Sequence, residues 1–290
     1  MRWQMGRRSR NIEDRRGMSP VGLGRGARAG GIGGLGIIAI ALVAMFLGVD
    51  PSFILNTLPV DQGAEPAAVP RSEIPAGDPE AEFISVVLAQ TEDTWGEVFA
   101  RSGEQYRQPA LVLFDGAVQS ACGMAGSATG PFYCPADQKL YLDLSFFEEL
   151  EQRFGAPGDF AQAYVVAHEV GHHVQTLLGI SSQVSQMRAQ ADPATANRLS
   201  VMMELQADCF AGVWARHTQE RERVLEEGDI EEGLAAASAV GDDRIQEATR
   251  GYVVPDAFTH GSSEQRMRWF REGLQTGDVN ACDTFNAERL

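Results

Sequence analysis

His168, Glu169 and His172 stand in the segment AHEVGHHVQ (167–175) with the spacing H-E-x-x-H. On an α-helix, residues four apart lie about 40° from each other around the axis, so both imidazoles can grip one metal ion. Glu169 is turned roughly 100° from His168, off the metal but within reach of a water held there. Two nitrogen ligands beside one proton-accepting carboxylate is metallopeptidase chemistry. His173 lies about 140° round the helix from His168, which makes it a supporting polar residue rather than a ligand. The bland alternative is a partly buried helix with ordinary hydrogen-bonded histidines. With five histidines in 290 residues, the spacing arises by chance in roughly one such chain in a hundred.

A third ligand separates the two readings. The segment MMELQADCFAG (202–212) places Glu204 32 residues after His172, with Asp208 one turn further on the same helical face. Two histidines, one glutamate and a water form a standard catalytic site for one Zn2+ ion. Asp208 would accept a hydrogen bond from the second nitrogen of a ligand histidine and so orient its ring. A surface carboxylate pair is the alternative. Against it, Met202, Met203, Leu205 and Phe210 surround the two acids, where an unpaired carboxylate is costly.

The elements that must position these residues follow from periodicity. A helix spans 160–178 and stops at Gly179, a long one spans 193–218, another spans 230–249, and an amphipathic one with Met267, Trp269 and Phe270 spans 262–275. Earlier in the chain, Asp78 and Pro79 make an N-cap and first-turn pair, opening a helix with Phe83, Val86, Val87 and Val98 on one face. ALVLFDG (110–116) has the length and apolarity of a buried strand, and KLYLDLS (139–145) alternates leucines against Tyr141 and Asp143. The second strand either offers an edge to an extended peptide or lies inside the sheet. Tyr133 and Tyr141 read as aromatic packing or as extra oxyanion donors, and His217 as a surface histidine without a role. The expected fold is α+β: a single N-terminal transmembrane helix, then a zincin-like, mainly helical peptidase domain with a small sheet.

The transmembrane expectation comes from charge and hydropathy. Residues 1–28 hold eight arginines against Glu13 and Asp14, and the whole chain carries −16. The remainder therefore has 16 basic and 38 acidic residues, about −22, which excludes a nucleic-acid-binding face. Nineteen uncharged residues, 31–49, are long enough to cross a bilayer. The positive-inside rule then puts a basic arm (1–30) in the cytoplasm, a membrane anchor at 31–49, a Pro/Ala-rich linker at 50–78 and a peptidase domain (79–290) outside the cytoplasm, periplasmic or extracellular. A cleaved signal peptide is the rival reading, but its small-x-small cleavage site is missing. Gly31, Gly33 and Gly36 match the dinucleotide-binding pattern, yet no strand precedes them, so that match is rejected. The four cysteines, Cys122, Cys134, Cys209 and Cys282, allow three pairings; Cys122–Cys134 and Cys209–Cys282 are preferred.

AHEVGHHVQ, ELQADCFAG and THGSSEQR together resemble the neutral zinc metallopeptidase family of YpfJ-like proteins, over nearly the whole chain. The sequence is more distantly similar to the CaaX prenyl proteases, with H-E-x-x-H, E-x-x-x-D, and a histidine six residues before an arginine. It departs from that pattern at Gly261, where proline is usual, and in having one expected span. The resemblance implies that His168, His172 and Glu204 bind zinc and that Glu169 is the general base. It further implies that His260 faces the substrate oxyanion and that Arg266 pairs with an acidic neighbour such as Asp208. The expected function is a membrane-anchored zinc endopeptidase of gluzincin type acting on a peptide or protein substrate, with no nucleic-acid partner. The alternative is a catalytically silent zinc module that binds an envelope partner.

Overall fold

The computed structural model describes residues 1–18, Ile74 and 77–290. Its sheet has four strands, β1 (Ile12–Asp14), β2 (Ala110–Leu113), β5 (Phe132–Cys134) and β6 (Lys139–Leu142), in the order β1-β2-β6-β5. β1, β2 and β6 run parallel, and β5 returns antiparallel to β6. A separate hairpin pairs β3 (Ala117–Ser120) with β4 (Gly123–Gly126). Side chains alternate across the sheet as the pleat requires. Leu111, Leu113, Leu140 and Leu142 enter the main core, while Val112, Cys134 and Tyr141 pack on the opposite face with Phe114 and Val118. Both faces are covered, which explains the unbroken apolar run of 110–114.

Helix α1 (Pro79–Arg101) begins where the Asp78 carboxylate accepts the Ala81 N–H at 3.0 Å, and Trp95, Ile84 and Leu88 bury its inner face. After β6 come α2 (Ser145–Gln152), α3 (Asp159–Leu177), α4 (Ile180–Gln190) and α5 (Pro193–Glu222), then α6 (Asp229–Ala239), α7 (Asp242–Arg250) and α8 (Ser263–Thr276). α5 is capped by Asp192, whose side chain accepts from Ala194 and Thr195. α5 and α8 meet backbone to backbone. A β-carbon built at Gly273 would lie 1.9 Å from the Cys209 carbonyl oxygen, and one at Gly212 would lie 2.1 Å from that of Phe270. Only glycine permits this approach. The disulfide Cys209–Cys282 fastens the segment after α8 to α5, and Cys122–Cys134 closes the hairpin region onto β5, with Cα–Cα distances of 5.6 and 5.8 Å.

The structure corrects two expectations and decides one open alternative. The first is topology. A single crossing at 31–49 would put residues 1–30 and 79–290 on opposite sides of a bilayer, but β1 hydrogen-bonds to β2 within one sheet. Several arginines of the arm pair inside this fold: Arg7 reaches Glu92 at 2.8 Å and Asp93 at 2.7 Å, and Arg16 reaches Asp78 at 2.6 Å. The stretch 31–49 lies outside the described residues, and among those described no helix is long and apolar enough to cross a membrane. The anchored, cytoplasm-to-exterior arrangement is therefore withdrawn. Second, β6 is flanked by β2 and β5, so it is internal and offers no edge to a peptide. Third, the helix expected over 230–249 is two helices. Gly241 is extended at the break, with its β-carbon position 2.5 Å from the Ser263 nitrogen, so a neighbouring segment occupies the space a continuous helix would need.

Candidate metal centre

α3 and α5 cross at Gly171, where an added β-carbon would stand 3.0 Å from the carbonyl oxygen of Ala207. The crossing lays the His168–His172 face of α3 against the Glu204–Asp208 face of α5. Ligand atoms of His168, His172 and Glu204 all lie within 4.8 Å of one another. His168 Nε2 is 3.2 Å from Glu204 Oε2, and His172 Nε2 is 3.4 Å from Glu204 Oε1. Tetrahedral zinc with bonds of about 2.0–2.2 Å sets its ligand atoms about 3.3–3.5 Å apart, so these residues fit the ion in both chemistry and spacing.

Each imidazole is held by its other nitrogen. His168 Nδ1–H donates to Asp208 Oδ1 at 2.8 Å, and Asp208 also accepts from the Tyr164 hydroxyl. Arg266 clamps the same carboxylate with two bonds, Nε to Oδ2 at 2.8 Å and Nη2 to Oδ1 at 2.9 Å. Asp208 and Arg266 are 0% and 3% exposed, so their charges cancel out of water. His172 Nδ1–H donates to Gln175 Oε1 at 2.9 Å, and the Gln175 amide donates to the Met203 carbonyl at 2.7 Å and to Gln206 at 3.1 Å. Both rings thus carry the Nδ1 proton and turn Nε2 to Glu204, where a bound metal ion would replace the Nε2 proton.

Electrostatics follow this geometry. Burial would depress the His168 pKa, but Asp208 and Glu204 outweigh it and raise it to about 10. Partial burial of Glu204 would alone raise its pKa, yet His172 and His168 hold it well below the usual carboxylate range. Burial lifts the Glu169 carboxyl above its ordinary value, against the pull of His168 and His172. That shift brings it closer to the range in which a carboxylate accepts and returns a proton readily.

The remaining histidines are accounted for separately. His173, 1% exposed, points away from the cluster: its Nε2–H donates to the Arg107 carbonyl at 2.6 Å and its Nδ1 accepts from the Tyr133 hydroxyl at 3.1 Å. Burial depresses its pKa to about 4, and the neutral ring ties α3 to β5 and to the loop before β2. Tyr133 is thereby occupied, and Tyr141 donates to Asp137 at 2.7 Å while stacking on Phe132. His217 has a role after all, donating from Nε2 to the carbonyl of Gly277 at the end of α8 at 2.9 Å. His260 sits on the loop before α8, half exposed, beside Asp242 at 3.2 Å. Gln175 and Asp242 escaped the sequence reading. Gln175, three residues after His172, had a legible signal in the i, i+3 spacing; Asp242 had none. A second acidic cluster, Asp159, Asp229 and Glu232, is already partnered: Asp159 and Asp229 accept from the amino group of Met1 at 2.7 and 3.3 Å, and Glu232 from the Phe160 N–H at 3.1 Å.

The family model described as "Putative neutral zinc metallopeptidase" matches residues 1–285. The chain is 52% identical over 288 residues to the "Uncharacterized protein YpfJ" of Escherichia coli strain K12, covering 98% of this chain and 99% of that protein. It is 44% identical over 258 residues to the "Uncharacterized protein Rv2575" of Mycobacterium tuberculosis strain ATCC 25618 / H37Rv, covering 85% and 86%. No solved structure is significantly similar to it. The chain belongs to this zinc metallopeptidase family, and zinc is the metal that membership implies.

Proposed function

We propose that the protein is an endopeptidase with one zinc ion held by His168, His172 and Glu204, and with Glu169 as its general base. The observation that carries the reading is the convergence of two Nε2 atoms and one carboxylate, with a half-buried glutamate one residue after the first histidine. Zinc, when bound, supplies a polarised water and a Lewis acid for the scissile carbonyl. Glu169 takes the proton of the attacking water and returns it to the leaving amine. Asp208, Tyr164 and Arg266 fix the His168 ring, and Gln175 fixes that of His172, so the ligands are oriented before the metal arrives. His260 is the donor for the oxyanion of the tetrahedral intermediate. Its loop lies against the turn of α5 that carries Glu204: the β-carbon position of Gly261 is 3.3 Å from Val201 and 3.1 Å from Leu205.

The test is a broad library of unstructured peptides. Zinc-loaded protein should cleave members internally, lose activity on chelation and regain it with one equivalent of zinc. Zinc binding with no cleavage anywhere in the library would instead mark a silent zinc-binding module.

A further inference from the structure

The α6–α7 corner and the loop before α8 are joined by an unusual concentration of bonds on one carboxylate. Asp242, buried at the start of α7, accepts three consecutive backbone N–H groups on a single oxygen. Thr259 and His260 reach Oδ2 at 2.6 Å and Gly261 at 3.1 Å. Its other oxygen, Oδ1, lies 3.2 Å from His260 Nδ1, which also has the Thr259 hydroxyl at 3.1 Å. The Asp242 N–H in turn donates to the Gly261 carbonyl at 2.9 Å. Asp243 continues the fastening by accepting from the Ser263 N–H at 2.7 Å and its hydroxyl at 2.8 Å. Gly261 turns with a φ of +88°, which lets three adjacent N–H groups point to one acceptor.

Asp242 has work that a purely structural clamp would not need. Three backbone donors would satisfy the loop through Oδ2 alone, yet Oδ1 is spent on the one side chain of the loop that carries chemistry. We propose that Asp242 is a positioning residue for His260, accepting from the ring at Nδ1 and so fixing the ring's orientation and its neutral tautomer. The groups facing His260 are Asp242 from α7, Glu204 from α5 and Arg266 from α8. The hydrogen bond to Asp242 and the Glu204 charge hold its pKa above the ordinary value, against burial and Arg266. The consequence for turnover rests on the zinc-peptidase reading; the protonation pattern stands apart from it.

Asp242→Asn makes the distinction sharp. Oδ2 faces three donors, so the asparagine must present its carbonyl there and its amide NH2 towards His260 Nδ1. That arrangement turns Nδ1 into an acceptor, moves the neutral-ring proton to Nε2 and disfavours the imidazolium. Imidazole 15N NMR reads this directly. At pH above the His260 midpoint, wild type should show the Nδ1-protonated tautomer, and Asp242→Asn the Nε2-protonated one with a lower midpoint. An Nε2-protonated wild-type ring overturns the proposal even if the variant fails to fold, and so does an unchanged tautomer in a folded variant.

Kinetics with the zinc-loaded enzyme add a second readout. Asp242→Asn should lower kcat about tenfold or more with KM nearly unchanged, and should add nothing in a His260→Ala background. Equal losses with and without His260 would reduce Asp242 to a loop clamp and overturn the proposal. If wild type cleaves no peptide, the peptidase reading falls while the NMR result still decides the role of Asp242.

Discussion

Gly171→Ala tests how the helix crossing builds the metal site. The new β-carbon would lie 3.0 Å from the carbonyl oxygen of Ala207, 3.1 Å from its Cα and 3.2 Å from its Cβ. Carbon atoms prefer separations of about 3.5–4.0 Å, so α3 and α5 must part by about 0.5 Å. Overpacking of this kind costs about 1–3 kcal/mol. Replacing a helix-interior glycine with alanine returns about 1 kcal/mol. The apoprotein should therefore lose between roughly zero and 2 kcal/mol, and Gly171→Val, which adds two methyl groups against the same backbone, should lose more. Zinc affinity is the sharper readout. The His–Glu separations of 3.2 and 3.4 Å would widen on the scale of the helix shift, beyond the roughly 0.2 Å tolerance of a zinc site. A fall of about tenfold or more, equivalent to about 1.4 kcal/mol, should follow. Urea unfolding in chelator measures the first quantity, and competition with a chromophoric chelator measures the second. The reasoning is refuted if Gly171→Ala gains the full helix-propensity term and binds zinc as tightly as wild type.

Other substitutions probe the buried charges. Arg266→Met leaves Asp208, which is 0% exposed, without its cation and should destabilise by about 3–5 kcal/mol. The double variant Asp208→Asn, Arg266→Met should recover part of that loss, as thermal or denaturant unfolding would show. Glu13 on β1 tests whether the arginine-rich start belongs to the sheet. Burial would raise its pKa, but hydrogen bonds from Lys139 at 2.7 Å and from Arg15 lower it below 4.5. Its stabilisation is thus complete above about pH 4.5 and is lost as pH falls through the lower folded value. Glu13→Gln should cost on the order of 1–2 kcal/mol at pH 7, and the gap from wild type should shrink below pH 4 in urea titrations. An equal gap at both pH values would remove Glu13 from these ion pairs.

The site was legible where its logic is local. His168, Glu169 and His172 share one helix face, Glu204 and Asp208 share another, and helical periodicity is enough to align each set. Even Gly171 could be read as a slim point on the helix, though only the structure names Ala207 as what approaches it. What could not be read depends on distant partners. β1 is three residues long inside an arginine-rich stretch, and the acids that neutralise its neighbours, Glu92, Asp93 and Asp78, lie more than sixty positions away. Charge and hydropathy therefore pointed to a membrane topology that the sheet contradicts. The break at Gly241 could not be read, because its cause, Ser263, opens α8 and is brought there only by the fold. Asp242 was invisible for the same reason: its significance lies in residues 259–261, which only the folded chain brings to it.

The most direct measurement compares wild type with Glu169→Gln for zinc content and peptide hydrolysis on the same preparations. Glu169 contributes a proton acceptor and no metal bond in this account. Both proteins should hold one zinc ion per chain, and only wild type should cleave peptide, with the variant reduced at least a hundredfold. Hydrolysis that survives the substitution, or zinc that is lost with it, would contradict the division of labour between the histidines and this glutamate.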